Sequence, residues 1–424
     1  MKEEYFQYRD NELFIENINL YKLAQQCGTP CYVYSRATLE KNWADINQAF
    51  STQPHEVCYA VKANSNLTIL NLFANLGAGF DIVSYGELER VIAAGGDARK
   101  IIFSGVGKQH HEIAQAIHRG IQCFNVETAQ ELSHIHTIAH HYNKKINIAL
   151  RINPDIDANT HPYIATGLRE NKFGISLDQV IPLAKTILNM PFLNLIGIAI
   201  HIGSQITSLA PFQAAIEQLL AIYQQLHAIG ITVSHINVGG GIGVRYHDEQ
   251  PFKIDDYATM INSKLRHHPV TLLLEPGRWL MADAGVLLTE IAYLKKTHHK
   301  NFAIVDAGMN DILRPALYQA WQDIKPVIRR ISEPQLYDIV GPLCESADFL
   351  GKERWLMINE GDYLAVCDVG AYGFSMSSNY NSRCRAAEIL VDKDEIHIIR
   401  RRECIEDLLA QEGILLNEWL EIRK

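Results

Sequence analysis

The chain has 424 residues, enough for two domains with buried cores, and its 47% hydrophobic and 21% charged content is ordinary for a soluble globular protein. A formal net charge of -9 without any basic run argues against a nucleic-acid partner, and no apolar run is long enough to span a membrane. The acidic, polar start at Met1–Tyr5 does not resemble a secretory signal, so we expect a cytoplasmic protein.

Short apolar runs alternate with helix-compatible stretches through the first two thirds of the chain. The predicted strands lie at 56–61, 78–82, 101–104, 121–125, 146–152, 196–201, 234–238 and 271–275, and predicted helices between them include 86–94, 129–141, 177–188 and 211–229. Runs such as Ile196–Ile200 are continuously apolar, which is typical of parallel strands covered on both faces. Eight strand–helix units predict a (β/α)8 barrel over residues 36–282, with a doubly wound open sheet as the alternative.

The pattern changes after about residue 285. Short β-rich runs at 302–306, 362–366 and 395–399 are divided by turn signals. They predict a second domain, a β-sheet or β-sandwich formed by residues 283–424, which also takes up the N-terminal segment 1–35. The predicted fold class is therefore α/β, with a TIM-like barrel followed by a β-rich domain.

Polar residues and glycines stand at the ends of several predicted barrel strands. Lys62 follows the first strand, Asp81 ends the second, His201 closes the sixth, Gly239–Gly241 follow the seventh and Glu275 closes the eighth. Because barrel enzymes carry their chemistry at the carboxyl ends of the strands, we expect these residues to meet on one face. An amine, a flat aromatic ring, a glycine-rich loop and a carboxylate are the parts that hold pyridoxal phosphate (PLP).

Each of these residues also has a simpler interpretation. Burial of Lys62 would lower its pKa and free the amine to form a Schiff base, but a lysine at a strand end can also extend into solvent. The loop Gly239–Gly241 suits a phosphate, with Ser204 adding a hydroxyl, because backbone amides can approach the anion closely. Tight packing of the loop would equally require glycine.

The remaining candidates follow the same reasoning. His201 would pack its ring on the cofactor, unless it is a hydrogen-bonded core histidine, and Glu275 would pair with the pyridine nitrogen. Arg278 would bind a substrate carboxylate, unless it forms a structural salt bridge. Cys344 would donate a proton and Glu345 would bind an ammonium group, whereas the alternative is a buried thiol beside a solvated acid.

Neither the cysteines nor the histidines predict a metal site. The eight cysteines are scattered without a CxxC pair, which also argues against a disulfide scaffold. The histidine-rich stretch His134–His141 contains i,i+4 spacing but no acidic partner in register. We interpret it as the solvated face of a helix.

Ordered segments along most of the chain carry a resemblance to a known family. They are Tyr59–Asn64, Phe80–Ser84, Thr160–Gly167, Asn171–Ile175, His201–Gln205, Gly239–Gly241, Glu275–Arg278, Asp306–Met309, Gly341–Ser346, Gly370–Gly373 and Ser378–Arg383. With them the chain resembles the fold-type III PLP-dependent decarboxylases, and among these the diaminopimelate decarboxylases. The resemblance implies PLP-dependent decarboxylation of meso-2,6-diaminopimelate to L-lysine and CO2, the last step of lysine biosynthesis.

The resemblance also implies residue roles. Lys62 and Cys344 are the implied catalytic residues: Lys62 binds PLP covalently, and Cys344 returns a proton after CO2 leaves. The implied cofactor-binding residues are Lys62, Asp81, His201, Ser204, Gly239, Gly240, Gly241, Glu275, Gly277, Arg278 and Tyr372. The implied substrate-binding residues are Arg278, Arg314, Tyr318, Glu345 and Tyr372. Since Cys344 and Glu345 come from the neighbouring subunit in this family, the resemblance implies a homodimer with shared active sites.

Two other functions remain open from the sequence. One is an ornithine, arginine or carboxynorspermidine decarboxylase of the same fold, although a substrate without a distal carboxylate has no need of both Arg278 and Arg314. The other is a non-catalytic PLP-binding homologue. The long β-rich C-terminal region, together with the presence of Lys62 and Cys344, argues against that second alternative.

Overall fold

The computed structural model describes residues 5–158, 161–164 and 166–413. The strands are β1 (Phe6–Arg9), β2 (Glu12–Ile15), β3 (Ile18–Asn19), β4 (Cys31–Ser35), β5 (His55–Ala60), β6 (Gly79–Ile82), β7 (Ile101–Phe103), β8 (Cys123–Val126), β9 (Ile146–Asn153), β10 (Ile175–Ser176), β11 (Leu193–Ile200), β12 (His235–Asn237), β13 (Thr271–Leu274), β14 (Gly285–Lys296), β15 (Asn301–Val305), β16 (Ile324–Pro326), β17 (Gln335–Val340), β18 (Phe349–Leu356), β19 (Tyr363–Val366), β20 (Ala387–Asp392) and β21 (Glu395–Arg400). The helices are α1 (Leu20–Cys27), α2 (Arg36–Ala49), α3 (Leu67–Asn75), α4 (Tyr85–Ala93), α5 (His110–Arg119), α6 (Ala129–His141), α7 (Leu177–Ile187), α8 (Leu209–Ala228), α9 (Ile254–Leu265), α10 (Arg278–Met281), α11 (Arg314–Tyr318) and α12 (Ile405–Leu409).

Eight parallel strands form a closed barrel. Strands β5, β6, β7, β8, β9, β11, β12 and β13 pair in that order, and the ring closes because β13 pairs with β5. Helices α3 to α10 follow these strands in turn, and β10 only extends the edge of β9. The predicted (β/α)8 barrel is confirmed. The open-sheet alternative is wrong, because an open sheet would leave its first and last strands unpaired.

The predicted strands agree with the structure except at some ends. Strand β11 begins at Leu193 rather than at residue 196. Its first residues alternate, with Leu193 and Leu195 buried on either side of the exposed Asn194. The polar residue interrupts the apolar run, but pairing with β9 continues through Leu193, which lies opposite Ile146. Backbone pairing, and not the apolar run, therefore sets where this strand begins.

Local sequence signals fix the helix ends that border the barrel loops. The Ser35 side chain accepts a hydrogen bond from the backbone N–H of Thr38 and begins α2, and Asn66 caps α3 in the same way. Helix α5 ends at Gly120, whose φ of 72° suits a glycine. These caps define where each loop at the barrel rim begins and ends.

A second sheet follows the barrel in the sequence. Its central strand β14 pairs with β15, β19 and β4, and the sheet continues through β20 and β21 on one side and through β17 and β18 on the other. Strand β4 belongs to this sheet, and apolar residues near the N-terminus, such as Phe6 and Leu13, pack in one cluster with Val286 and Ala365. The prediction that the N-terminal segment joins the β-rich domain is confirmed.

The predicted division of the chain into a barrel domain, 36–282, and a β-rich domain, 1–35 with 283–424, stays a prediction. Part of the terminal ranges lies outside the described residues. Thr160 and Ala165, in one of the family-like segments, also lie outside the described residues. In the part of the chain that the structure describes, every helix is too short or too polar to pass through a bilayer.

The contact between β11 and β12 yields a stability prediction. A Cβ added at Gly197 would lie 2.0 Å from Nε2 of the buried His235 on the neighbouring strand. We expect Gly197→Ala to destabilise the fold by about 1–3 kcal/mol because the imidazole has to move within a packed core. Thermal denaturation measures this as a lower Tm. Gly107→Ala, whose Cβ would meet nothing within 4 Å, is the control, and equal Tm values would contradict the packing argument.

Candidate active site

Two adjoining cavities open at the carboxyl ends of the barrel strands. Their volumes are about 340 Å³ and 210 Å³, and they share Lys62, Thr166, His201 and Glu275. The larger one also contains the predicted residue Asp81. The smaller one brings together Lys62, His201, Ser204, Gly241, Glu275, Gly277, Arg278, Arg314, Tyr318 and Tyr372. Most of the residues singled out in the sequence therefore surround a single space.

Lys62 forms an ion pair with Asp81 at the base of this space. Its Nζ donates a 2.8 Å hydrogen bond to Oδ2 of Asp81, which is almost fully buried. Burial alone would lower the pKa of Lys62, but the charge and hydrogen bond of Asp81, together with the charges of Tyr372 and Glu275, outweigh it and raise that pKa above its usual value. The expectation of a lowered pKa is wrong, because it counted desolvation and not the neighbouring carboxylates. The ammonium has to release a proton before the amine can act as a nucleophile.

His201 presents a neutral ring to the cavity. Burial, followed by the charges of Arg151 and Lys62, lowers its pKa well below the usual value. Its Nδ1 accepts a 3.2 Å hydrogen bond from the backbone N–H of Gly240, so the ring proton belongs on Nε2. A neutral, oriented imidazole can pack its face against a flat cofactor without adding charge to the site.

The glycine loop is packed tightly against its neighbours. A Cβ at Gly240 would lie 2.1 Å from the carbonyl oxygen of Glu275, and one at Gly241 would lie 2.3 Å from that of Gly203. Gly239 and Gly241 have φ values of 70° and 94°, which a glycine adopts readily. Tight packing therefore accounts for all three glycines. Gly241 nevertheless lines the smaller cavity, so phosphate binding stays a prediction.

Glu275 is buried and held by two asparagines that the sequence reasoning missed. Its Oε1 accepts hydrogen bonds from Nδ2 of Asn237 at 2.6 Å and from Nδ2 of Asn125 at 3.3 Å. Burial, and then the charge of Asp81, raises the pKa of Glu275 to about 7. Both asparagines lie in buried barrel strands, so a polar residue within an apolar run was the available signal.

Arg278 faces the smaller cavity without a carboxylate partner. Nη2 of Arg278 donates to Oγ of Ser204 at 3.0 Å, and Nη1 donates to the hydroxyl of Tyr246 at 2.8 Å. Its guanidinium also lies 4.8 Å from the centre of the Tyr372 ring. Among the described residues it forms no ion pair, so the structural salt-bridge alternative is wrong. A buried guanidinium with polar but uncharged partners is suited to an anionic ligand.

A second buried arginine stands beside the first. The guanidinium of Arg314 lies 4.7 Å from the centre of the Tyr246 ring, and burial lowers the pKa of Arg314. Tyr246 thus contacts both Arg278 and Arg314. Sequence reasoning missed Tyr246, because an aromatic residue in a loop carries no distinguishing pattern. Tyr318, at the other end of α11, completes this wall of the cavity.

Cys344 and Glu345 lie apart from the other predicted residues. Both are exposed, and neither lines the two cavities as far as the described residues define them. The backbone N–H of Cys344 donates to Oδ1 of Asn381, and the hydroxyl of Tyr380 donates to Oε1 of Glu345 at 2.6 Å. A single chain therefore does not bring this thiol and carboxylate to Lys62.

Comparison with known proteins gives the family. The family model described as "Pyridoxal-dependent decarboxylase, pyridoxal binding domain" matches residues 36–282. The chain is 54% identical to a diaminopimelate decarboxylase of Vibrio cholerae, over 97% of this chain and 99% of that protein. It is 53% identical to one of Pseudomonas aeruginosa, with the same coverage. The crystal structure of diaminopimelate decarboxylase from Helicobacter pylori complexed with L-lysine is similar, with a TM-score of 0.90 and 44% identity, over 92% of this chain and 98% of that chain.

The chain belongs to the diaminopimelate decarboxylase family of pyridoxal-dependent decarboxylases. The cavity fits the cofactor of this family. An amine, a neutral imidazole and a carboxyl group of raised pKa surround one space whose volume of about 340 Å³ suits a small ligand. Oδ1 of Asp81 and Nε of Arg278 are buried there without a hydrogen-bond partner among the described residues. Such groups are expected where a polar ligand binds.

The ion pair at Lys62 predicts a pH effect. Asp81→Asn removes the carboxylate that raises the pKa of Lys62, so the amine should become reactive at lower pH. We expect the midpoint of its pH profile to fall by about 1–3 pH units. The measurement is the rate at which PLP labels Lys62 in the cofactor-free protein, trapped with borohydride and located by peptide mapping. Asp97→Asn, on the surface, is the control, and an unchanged or higher midpoint in Asp81→Asn would refute this electrostatic account.

Proposed function

We propose that this protein decarboxylates meso-2,6-diaminopimelate to L-lysine and CO2 with PLP as its cofactor. The observation that carries the proposal is one cavity in which Lys62 faces two buried arginines, Arg278 and Arg314, that have no carboxylate partner among the described residues. Relatives named diaminopimelate decarboxylase, more than 50% identical over nearly the whole chain, support the same activity.

Several residues would hold the cofactor. Bound PLP withdraws electrons from the α-carbon of an attached amino acid, which allows CO2 to leave. Lys62 would provide the amine for covalent attachment, and His201 would cover one face of the ring. Glu275, with a pKa of about 7, can share a proton with the pyridine nitrogen and so maintain electron withdrawal. We assign the remaining contacts to Asp81, Ser204, Gly239, Gly240, Gly241, Gly277, Arg278 and Tyr372.

The two arginines support the choice of substrate. Diaminopimelate carries a second carboxylate at its far end, whereas ornithine, arginine and carboxynorspermidine do not. Arg278 and Arg314 are each about 5% exposed, and an unpaired buried charge is unfavourable unless a ligand neutralises it. We propose that they bind this distal carboxylate together with Tyr318 and Tyr372. A PLP-binding protein without catalysis has no need of such a carboxylate site.

We further propose that the active unit is a homodimer with shared sites. Cys344 and Glu345 are exposed and lie outside the two cavities of their own chain. A partner subunit could supply the Cys344 thiol as the proton donor and Glu345 as the acceptor for the distal ammonium group. We also infer a cytoplasmic location, because all eight cysteines are free, as is usual in a reducing compartment.

The substrate assignment predicts a selective activity. We expect the purified holoenzyme to release CO2 from meso-diaminopimelate and to show little release from ornithine, arginine or carboxynorspermidine. The reason is that only the first substrate places a carboxylate near Arg278 and Arg314. Assays run in parallel on the four compounds measure this directly. Faster release of CO2 from one of the other three compounds would refute the assignment of meso-diaminopimelate and would identify that compound as the substrate.

Arg314→Ala serves as the matched variant in the same assay. Loss of one charged hydrogen-bond donor should lower kcat/KM for meso-diaminopimelate by about 10- to 100-fold and leave residual activity on ornithine nearly unchanged. Arg119→Ala, which removes a surface arginine paired with Glu89, should leave every rate unchanged. Equal losses on all substrates would show that Arg314 supports folding and not specificity.

Shared active sites predict complementation between inactive variants. Lys62→Ala and Cys344→Ser should each have little activity alone. After mixing and reassociation, hybrid dimers would contain one site with both Lys62 and Cys344, so activity should recover to about one quarter of the wild-type value. The mixture is compared with each variant carried through the same treatment. No recovery, despite hybrid formation shown by mass spectrometry, would place both groups in the same chain.

A further inference from the structure

A third cavity lies between the barrel and the second sheet. Its volume is about 210 Å³, and it shares no lining residue with the two cavities at the barrel mouth. The barrel contributes Ser65, the N-cap residue Asn66 and Leu67 at the start of α3, and Arg90 from α4. The sheet domain contributes Arg385 and Arg400. Two separate parts of the fold thus bring three guanidinium groups to one cavity, where Arg90 is exposed and Arg385 and Arg400 are half-buried.

The three arginines have few anionic partners of their own. Arg90 donates to the backbone oxygen of Ser65 at 3.1 Å, and Arg385 donates to that of Ser377 at 2.7 Å. Neither forms an ion pair within the part of the chain that the structure describes. Arg400 approaches Glu403 at 3.4 Å. The Nε atoms of Arg385 and Arg400 are buried without an acceptor.

The one carboxylate in the cavity wall is already engaged. Glu388 accepts hydrogen bonds from the hydroxyl of Tyr34 at 2.8 Å and from Nδ2 of Asn66 at 2.9 Å. Burial raises the pKa of Glu388, although these hydrogen bonds and the nearby arginines oppose the shift. Glu403 accepts from the backbone N–H of Arg385 at 2.9 Å and does not line the cavity. The cavity therefore keeps an excess of positive charge.

We propose that this cavity binds a small oxyanion, a phosphate or a carboxylate, which bridges the barrel and the sheet domain. Guanidinium groups donate charge-assisted hydrogen bonds to both kinds of anion. The hydroxyl of Ser65 and the start of α3 add uncharged and dipolar donors. The Phe374 ring lies 5.0 Å from the guanidinium of Arg400 and forms an apolar floor beneath it.

The site is connected to the chain segment that carries Lys62. Oγ of Ser375 donates to the backbone oxygen of Ala63 at 3.1 Å, and the backbone N–H of Tyr372 donates to the same oxygen at 2.9 Å. An anion held between Arg90 and Arg385 would join α4 of the barrel to the sheet domain, close to the loop that carries Lys62 and Ala63. Its binding should therefore stabilise the contact between the two domains next to the catalytic lysine.

Calorimetric titration of the holoenzyme tests the proposal, because the bound cofactor already fills its own phosphate-binding site. Inorganic phosphate and succinate are titrated separately, with sodium chloride keeping the ionic strength constant. We expect saturable binding of at least one of them, and the two titrations distinguish a phosphate site from a carboxylate site. Arg90→Gln and Arg385→Gln should each weaken this binding by about tenfold or more.

Two further variants locate the binding. Arg99→Gln, an exposed arginine paired with Asp97, should bind the anion as the wild type does. Arg314→Ala should also retain it, because Arg314 lies in the catalytic cavity and not in this one. The proposal is overturned if neither anion binds saturably, if Arg90→Gln and Arg385→Gln both keep the wild-type affinity, or if Arg314→Ala abolishes binding. Circular dichroism confirms that each variant is folded.

Discussion

Hydrogen bonding between the first and last barrel strands holds the active site together. Leu272, Leu273 and Leu274 of β13 pair in parallel with the beginning of β5, and this pairing closes the ring. Lys62 follows β5 and Glu275 follows β13, so closure makes neighbours of two residues from opposite ends of the barrel sequence. Since all eight strands are parallel, their carboxyl ends share one rim, and every polar residue placed there faces the same space.

The charged side chains at this rim fall into two groups, which differ in whether a carboxylate lies nearby. The Lys62–Asp81 ion pair and the raised pKa of Glu275 reflect cationic and acidic groups that influence one another across the rim. Arg278 and Arg314 differ from Lys62 in that neither forms an ion pair with a carboxylate among the described residues; their contacts there include aromatic rings and hydroxyls. Buried charges left in this state favour an anionic ligand, which is how a rigid protein prepares a binding site in advance.

The sheet domain completes the site that the barrel begins. It supplies Arg314, Tyr318 and Tyr372 to the smaller cavity, and the backbone of Tyr372 is hydrogen-bonded to the loop that follows β5. The same domain carries Cys344 and Glu345 on an exposed surface. One chain therefore contains the cavity for which we propose cofactor and carboxylate binding, while its Cys344 thiol is exposed. This separation is the physical basis for proposing that two chains share their sites.

The sequence by itself determined that eight strands alternate with helices and which polar residues stand at the strand ends. Only the pairing of β13 with β5 decided between a barrel and an open sheet, because closure is a contact between the first and last strands. The sequence also indicated the family, through ordered motifs from Tyr59 to Arg383. Only the tertiary structure decided the direction in which the pKa of Lys62 shifts, because Asp81, Tyr372 and Glu275 together outweigh burial and such a balance depends on distances that no pattern encodes. The tertiary structure alone also revealed that Asn125 and Asn237 hold Glu275 and that Tyr246 contacts Arg278, since each contact joins residues distant in sequence.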